Sequence, residues 1–231
     1  MKSSLSLFAL IIGSFALSCY ALVVIPQKQI GGLQPHFTEE EGKVVDPYPV
    51  RNRGVAERGR QVYKSEGCIY CHSQQVRDVQ NGSDLERGWG ERRTVARDYV
   101  FEQPPLLGST RLGPDLANIG SAKWRNESTD PDDKRKPVKR DAAWQLLHLY
   151  EPQAIIKESN MPPYRYLFQT RKISGQRSAD ALNLTGDDAP EDGYEVVPTA
   201  AAKDLVGYLM SLDRSHALPE VKSTAPAAAA K

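Results

Sequence analysis

The stretch GCIYCHSQ (67–74) brings together residue types that are rare in the rest of the chain. The 231 residues include three cysteines and four histidines, and two of the cysteines and one histidine fall within these eight positions. On a helical turn Cys68 and Cys71 point to the same side, and His72 follows directly. Two thiols and one imidazole can therefore act on one bound group.

The spacing CxxCH is the attachment signature of a c-type haem. Cys68 and Cys71 would form thioethers with the two vinyl groups, and His72 would supply an axial nitrogen to the iron. A redox-active dithiol usually accompanies a βαβ pattern, which this sequence does not show. A zinc site needs two further ligands, and the other histidines are isolated. We therefore predict one covalently bound haem c.

The second axial ligand must come from beyond the motif, where the candidates are Met161, Met210, His148 and His216. Met161 lies in SNMPPY (159–164), beside two prolines that keep a loop stiff and extended. Met210 lies in a predicted helix, where a methionine usually fills the core. A lone histidine on an apolar helix face, such as His148, is usually structural. We predict Met161, which would raise the haem potential relative to a second histidine.

The stretch STRLGPDL (109–116) is predicted to surround the axial histidine. The second ring nitrogen of His72 needs a hydrogen-bond partner, and a carbonyl of the rigid Gly113-Pro114 turn could accept it. Arg111 in the same stretch could neutralise a haem propionate. The alternative is an ordinary turn with a surface arginine.

An uncharged apolar run, LSLFALIIGSFALSCYALVVI (5–25), opens the chain. A helix of this length spans roughly 31 Å, close to the roughly 30 Å of a bilayer core. The run exceeds the apolar core of a cleaved signal peptide, which has about 7 to 15 residues. Cys19 could indicate a lipoprotein box, but Ala16 stands where leucine is usual. We expect a retained, single-pass anchor.

The rest of the chain is expected to form a mainly α domain with long loops, without sustained strand alternation. Apolar spacing and cap residues predict helices over 55–67, 141–151 and 199–213. The chain is therefore divided into an anchor (1–26), a linker (27–54), a haem domain (55–215) and a disordered tail (216–231). The haem domain contains a polar insertion (174–198).

Charge and composition exclude other classes of function. The 30 basic and 29 acidic residues nearly cancel, whereas a nucleic-acid binder usually has a basic excess. A hydrophobic content of 40% suits a packed core but not a polytopic membrane protein. Four arginines could form a docking face, although solvated surface is the ordinary interpretation; they are at positions 87, 92, 93 and 97.

Taken together, the motifs resemble a class I cytochrome c domain, with CxxCH, GPDL, a methionine loop and a final LVGYL helix in that order. Three stretches are similar to the mono-haem, membrane-anchored subunit II of cbb3-type cytochrome c oxidases, the FixO-like subunit. They are GRQVYKSEGCIYCHSQQVR (59–77), STRLGPDLANIG (109–120) and WQLLHLYEPQAIIKESNMPPY (144–164). The resemblance covers most of residues 1–173 and the last helix.

This resemblance implies a subunit of a bacterial haem–copper terminal oxidase. It makes Cys68 and Cys71 the thioether residues, His72 and Met161 the axial ligands, and Pro114 the source of the carbonyl beside His72. The chain would pass electrons from other cytochrome c subunits or soluble cytochromes to the catalytic subunit, which reduces oxygen to water. It would not be an enzyme by itself. Because haem is attached outside the bacterial cytoplasm, the haem domain is expected in the periplasm, anchored in the lipid of the inner membrane.

Two other functions share some of these features. The anchored cytochrome c subunit of a nitric oxide reductase also combines one anchor with one haem, but the CHSQ context favours the oxidase. A haem-based sensor would have five-coordinate iron, and no attached signalling domain supports it. The chain departs from the resemblance at Gln75 and in the polar stretches 121–140 and 174–198, which bear on the complex it joins and on its donor.

Overall fold

The computed structural model describes residues 2–40, 43–121 and 140–221. As predicted, the described residues are mainly helical, and two short antiparallel hairpins accompany the helices. The charged stretch 121–140 lies outside the described residues except at its two ends, and so does the tail beyond residue 221. Two units are formed, one from Met1–Val50 with Val95–Glu102, and one from Arg51–Thr94 with Gln103–Lys231.

The first unit contains the apolar helix that the sequence predicts. Helix α1 (Lys2–Cys19) continues through a π-helical turn (Tyr20–Val24) into α2 (Ile25–Ile30). Within it, Ser4–Ile30 is long and apolar enough to cross a membrane, with a mean hydropathy of 2.4 and none of its most apolar window buried. The helix therefore extends five residues beyond the apolar run.

A hairpin of β1 (His36–Glu40) and β2 (Lys43–Tyr48) follows in the predicted linker. The sequence did not indicate these strands, because Pro47 lies inside β2 and a proline argues against a strand interior. The hydroxyl of Tyr48 donates a hydrogen bond to Asp98 over 2.8 Å. Asp98 also accepts one from the backbone N–H of Val95, so its carboxylate joins the hairpin to the second segment of this unit.

The second unit is built on two helices that come from opposite ends of its sequence. Helix α3 (Val55–Ser65) and helix α6 (Ala200–Ser211) confirm two of the predicted helices, with slightly shorter ends. Tyr63 and Tyr208 are fully buried between them, with ring centroids 5.5 Å apart in an edge-on arrangement. Thr199 caps α6 as expected, since its hydroxyl accepts a hydrogen bond from the N–H of Ala202.

The third predicted helix is α4 (Ala142–Tyr150), which packs against α6. Its cap is also the predicted one, because the carboxylate of Asp141 accepts the N–H of Trp144 over 3.0 Å. Pro152 ends α4 and opens the short α5 (Pro152–Ile155). The buried Leu149 connects this helix pair to the core.

A second hairpin, of β3 (Phe168–Lys172) and β4 (Tyr194–Pro198), lies partly in the stretch interpreted as a polar insertion. Val196 and Val197 are buried there, so the end of that stretch belongs to the core. Leu218, in the predicted tail, is buried as well. Five-residue strands with charged and proline neighbours are too short for their alternation to be recognised.

Candidate haem site

The two cysteines lie on a tight turn that directly follows α3. Gly67 has a φ of 72°, a left-handed conformation that suits glycine, and a 3-10 turn (Cys68–Tyr70) begins after it. The N–H of His72 donates to the carbonyl of Cys68 over 2.9 Å, which closes the helical turn that the spacing predicts. Both thiols are free and half-buried.

The environment of Cys68 disfavours a redox-active dithiol. Burial raises the pKa of its thiol to about 12, whereas reactive thiols have lowered pKa values and react as thiolates. The described parts of the chain contain no group of three or more His, Cys, Asp or Glu side chains able to hold a metal ion.

His72 is fixed in one orientation by the GPDL turn. Its Nδ1–H donates to the carbonyl oxygen of Pro114 over 2.8 Å, and the N–H of Gly113 donates to the carbonyl of Cys71. A Cβ at Gly113 would lie 2.3 Å from Cε1 of His72, so the ring packs directly on backbone. Because Nδ1 is used, Nε2 is the nitrogen available to a metal. Burial lowers the pKa of His72, with partial offset from Pro114, which favours the neutral form that binds metals.

The buried carboxylate of Asp115, next to Pro114, connects the two chain segments that surround His72. Asp115 accepts hydrogen bonds from the hydroxyl of Ser73 over 2.6 Å and from the N–H of Gln75 over 2.8 Å. The N–H of Leu116 donates to the carbonyl of Ser73. Sequence reasoning missed the role of Asp115; the available signal was its position directly after Pro114 in the GPDL motif.

Arg111 is bound to a carboxylate of the protein. Its Nη1 lies 2.5 Å from both carboxylate oxygens of Asp84, whose side chain is fully buried. Arg77 holds the same carboxylate at 3.0 Å. Burial opposes ionisation of Asp84, but the hydrogen bonds from the two arginines outweigh it and lower the pKa of Asp84. The geometry therefore assigns Arg111 to an internal ion cluster, and its contact with a propionate stays a prediction.

Met161 is half-buried and packs against the same hydrophobic core as four residues around the motif, namely Cys68, Ile69, Leu116 and Tyr164. Its N–H donates to the hydroxyl of Ser159, and the N–H of Tyr164 donates to the carbonyl of Leu149 over 2.8 Å, which ties the loop to α4. The loop therefore presents the thioether to the core without helical structure, as the two prolines predict.

The rival ligands are placed differently. Met210 lies within α6 and is half-buried against the core, in agreement with a packing role. The carbonyl of His216 accepts a hydrogen bond from Arg92, in a segment beyond α6. His148 lies on α4, where burial and then the charges of His72 and Arg140 lower its pKa to about 4.

These residues fit a haem. Two free thiols one turn apart and a fixed imidazole with Nε2 available lie together, and a half-buried methionine packs against the same core. The Nδ1 of His148 is buried without a hydrogen-bond partner in the part of the chain that the structure describes, as is the Nε1 of Trp144. Such atoms are expected beside a polar group that lies outside the described residues, such as a water molecule or a bound group.

A comparison with protein families gives a match to cytochrome C oxidase, mono-heme subunit/FixO, over residues 10–127 and 122–186. The comparison with curated proteins found no match. The family match covers well over half of the chain, including the CxxCH, GPDL and methionine-loop motifs, and it agrees with the N-terminal apolar helix of a membrane anchor. It names an oxidase subunit rather than a nitric oxide reductase or a sensor. The chain belongs to the FixO family, the mono-haem subunits of cytochrome c oxidase.

Proposed function

We propose that this chain transfers electrons, through one covalently bound haem c, to the haem–copper catalytic subunit of a cbb3-type oxidase. The observation that carries the proposal is the hydrogen bond from His72 to Pro114, because it fixes an imidazole with a free Nε2 beside Cys68 and Cys71. The family supplies the rest, since its members are oxidase subunits.

The residues of the site would each have one task. A haem attached to Cys68 and Cys71 supplies one-electron iron chemistry. His72 would hold one axial position through Nε2, and the carbonyl of Pro114 would increase the basicity of the ring. Met161 would hold the other axial position. With both positions filled, no site is open to oxygen, and electron transfer without ligand exchange is the chemistry that remains.

The ligands proposed for the haem bear on its potential. A methionine ligand raises the haem potential relative to a second histidine, so a haem ligated by His72 and Met161 would have a potential above that of a bis-histidine site.

The proposed location is the inner membrane of a bacterium, with the haem domain in the periplasm and the apolar helix in lipid. Electrons would come from other cytochrome c subunits or from soluble cytochromes. The anchor keeps the haem domain at a high effective concentration near the catalytic subunit, so that transfer does not depend on a diffusional encounter.

Spectroscopy of two methionine variants tests the axial assignment. The detergent-solubilised protein should show low-spin c-type bands and the methionine–iron charge-transfer band of the oxidised state. Met161→Ala should abolish that band and allow carbon monoxide to bind to the reduced protein. Met210→Ala, a matched control on α6, should keep the band. Loss of the band in Met210→Ala with retention in Met161→Ala would refute the assignment.

Purification of the complex tests the physiological role. The tagged chain should bring with it a membrane subunit that contains copper and consumes oxygen in the presence of a reduced cytochrome. A partner that lacks copper and reduces nitric oxide would assign the chain to a reductase instead. Wild-type protein that carries no covalent haem by mass would contradict the whole proposal.

A further inference from the structure

A hydrogen bond joins the chain after the methionine loop to the chain just before the cysteine turn, residues 67–71. The hydroxyl of Tyr166 donates to the carboxylate of Glu66, 100 positions away in the sequence. Glu66 directly follows α3 and stands two positions before Cys68, and Tyr166 stands five positions after Met161. The bond therefore connects the stretch that carries the thiols with the stretch that carries the thioether.

Both ends of this bond lie on fixed backbone. The N–H of Glu66 donates to the carbonyl of Val62 over 2.9 Å, which holds Glu66 on the last turn of α3. Tyr166 lies in the 3-10 turn Arg165–Leu167, whose last residue, Leu167, is buried in the core. The ring of Tyr166 is itself 64% exposed, so that packing contributes little to its orientation. The hydrogen bond to Glu66 accounts for that orientation.

The chain between Met161 and Tyr166 is stiff. Pro162 and Pro163 follow the methionine directly, their φ angles are locked, and each also restricts the residue before it. The ring of Tyr164 then lies 5.8 Å from the ring of Tyr166. A displacement of Tyr166 would therefore be passed on to the methionine instead of being absorbed by a flexible segment.

On its other side, the methionine loop is held by local bonds. The hydroxyl of Ser159 accepts the N–H of Met161 over 3.2 Å, and the side chain of Gln153 on α5 donates to the carbonyl of Ser159 over 3.2 Å. These bonds shape the loop and join it to the short helix that precedes it. The connection to the cysteine turn comes from Tyr166 and Glu66.

We propose that the hydrogen bond between Tyr166 and Glu66 keeps the thioether of Met161 on the haem iron, which makes both of them positioning residues for the axial ligand. Electron transfer without ligand exchange requires that the same ligands are retained in the ferric and the ferrous state. Without the bond, the loop would move away from the cysteine turn more often and open one axial position to outside ligands. This inference rests on the proposed function, in which Met161 is an axial ligand.

The test measures how often the methionine leaves the iron. Exogenous imidazole binds to the oxidised, full-length holoprotein only after the bond from Met161 to the iron opens, so the binding rate at saturating imidazole equals the opening rate. Tyr166→Phe keeps the ring and removes the hydroxyl, and Glu66→Ala removes the acceptor. Each variant should keep covalent haem and open about fivefold faster, which corresponds to about 1 kcal/mol, the usual net contribution of one hydrogen bond.

The double variant decides whether the two residues act through one bond. Tyr166→Phe combined with Glu66→Ala should open at the rate of either single variant, because the second change removes nothing that the first has left. Two matched controls should open at the wild-type rate. Tyr194→Phe changes another exposed tyrosine, on β4, and Glu57→Ala changes another glutamate of α3, which accepts a hydrogen bond from Gln61.

Three results would overturn the proposal: a wild-type opening rate in either single variant, an equal acceleration in a control, or independent effects that multiply to about 25-fold in the double variant. If Glu66→Ala does not attach haem, Tyr166→Phe and its control decide alone. A wild-type holoprotein without a methionine–iron band would sink the proposed ligation as well. Unchanged opening rates in variants that keep the band sink this inference alone.

Discussion

Gly59 on α3 lies against the backbone of Asp204 on α6, and a Cβ at Gly59 would come within 1.8 Å of that carbonyl oxygen. On the other helix, a Cβ at Gly207 would lie 2.4 Å from a methyl carbon of Val55. Arg58 adds an ion pair with the carboxylate of Asp204 at 2.7 Å. The two helices therefore cross at contact distance because both crossing points are glycines.

Substitution at this crossing should destabilise the second unit. Gly59→Ala forces the helices apart and should reduce the free energy of unfolding by about 1–3 kcal/mol, the usual cost of overpacking. Thermal unfolding of the detergent-solubilised chain measures the change. Gly13→Ala is the matched control, because it is also a helical glycine but has no atom within 4 Å of the added Cβ. Equal melting temperatures for both variants would contradict the close crossing.

Substitution of Gly113 should change the orientation of His72, the proposed axial ligand, without replacing that residue. The added methyl group of Gly113→Ala would lie 2.3 Å from Cε1 of His72, so the ring must tilt and its bond to Pro114 must lengthen. We expect a weaker iron–imidazole bond, seen in the resonance Raman spectrum, and a higher midpoint potential, because a less basic ring stabilises ferric iron less. Gly32→Ala, which meets no atom within 4 Å, should change neither. A wild-type Raman spectrum in Gly113→Ala would argue against this contact.

The buried ion cluster of Asp84 should contribute stability at neutral pH. Asp84→Asn removes the carboxylate charge that Arg77 and Arg111 share, leaving Arg111 with Asp115 at 3.9 Å, and should cost about 3 kcal/mol, at the low end for buried pairs because Arg77 is partly exposed. Chemical denaturation measures the difference. The control is Asp78→Asn, whose carboxylate forms an exposed pair at 3.7 Å and should cost less than about 1 kcal/mol.

The pH dependence of this effect has a defined sign. The two arginines lower the folded-state pKa of Asp84 below its unfolded value of about 3.9. Its contribution is therefore fully present above the unfolded pKa and is lost as the pH falls through the folded pKa. The difference between wild type and Asp84→Asn should be constant near pH 7 and shrink toward pH 3. If the difference in unfolding free energy grew as the pH fell, it would contradict the pairing of an ionised Asp84 with the two arginines.

The apolar helix should hold the chain in the membrane. Two arginines in the span Ser4–Ile30, Ile12→Arg with Leu17→Arg, should weaken insertion by about 3 kcal/mol each and release protein in an alkaline wash. The control variant, Val50→Arg with Val79→Arg, carries two arginines at exposed valines outside the span, and this protein should remain membrane-bound. Release of the wild-type chain by the wash would show peripheral attachment.

The parts of this molecule that sequence reasoning predicted are those set by local spacing. The turn carrying Cys68 and Cys71, the caps at Asp141 and Thr199, and the carbonyl of Pro114 all follow from residues within a few positions of a recognisable motif. These features depend on short-range backbone geometry, which local sequence patterns predict well.

The missed features depend on contacts between distant positions. Arg111 binds Asp84, 27 residues away, and no local pattern distinguishes that arginine from a propionate partner. The strand containing Val196 is recognisable through its pairing with β3 rather than through its own composition. The stacked pair of Trp144 and His148 was visible as a helical spacing, but its unpaired nitrogens required coordinates.

The pairing of α3 with α6 also dictates the order of events during biosynthesis. Arg58 and Asp204 are separated by 146 positions, so the ribosome must complete almost all of this unit before its first helix meets its last. Until then the turn with Cys68 and Cys71 belongs to an unfinished, open chain. For the proposed haem attachment, the two thiols are therefore most accessible before α3 and α6 pair.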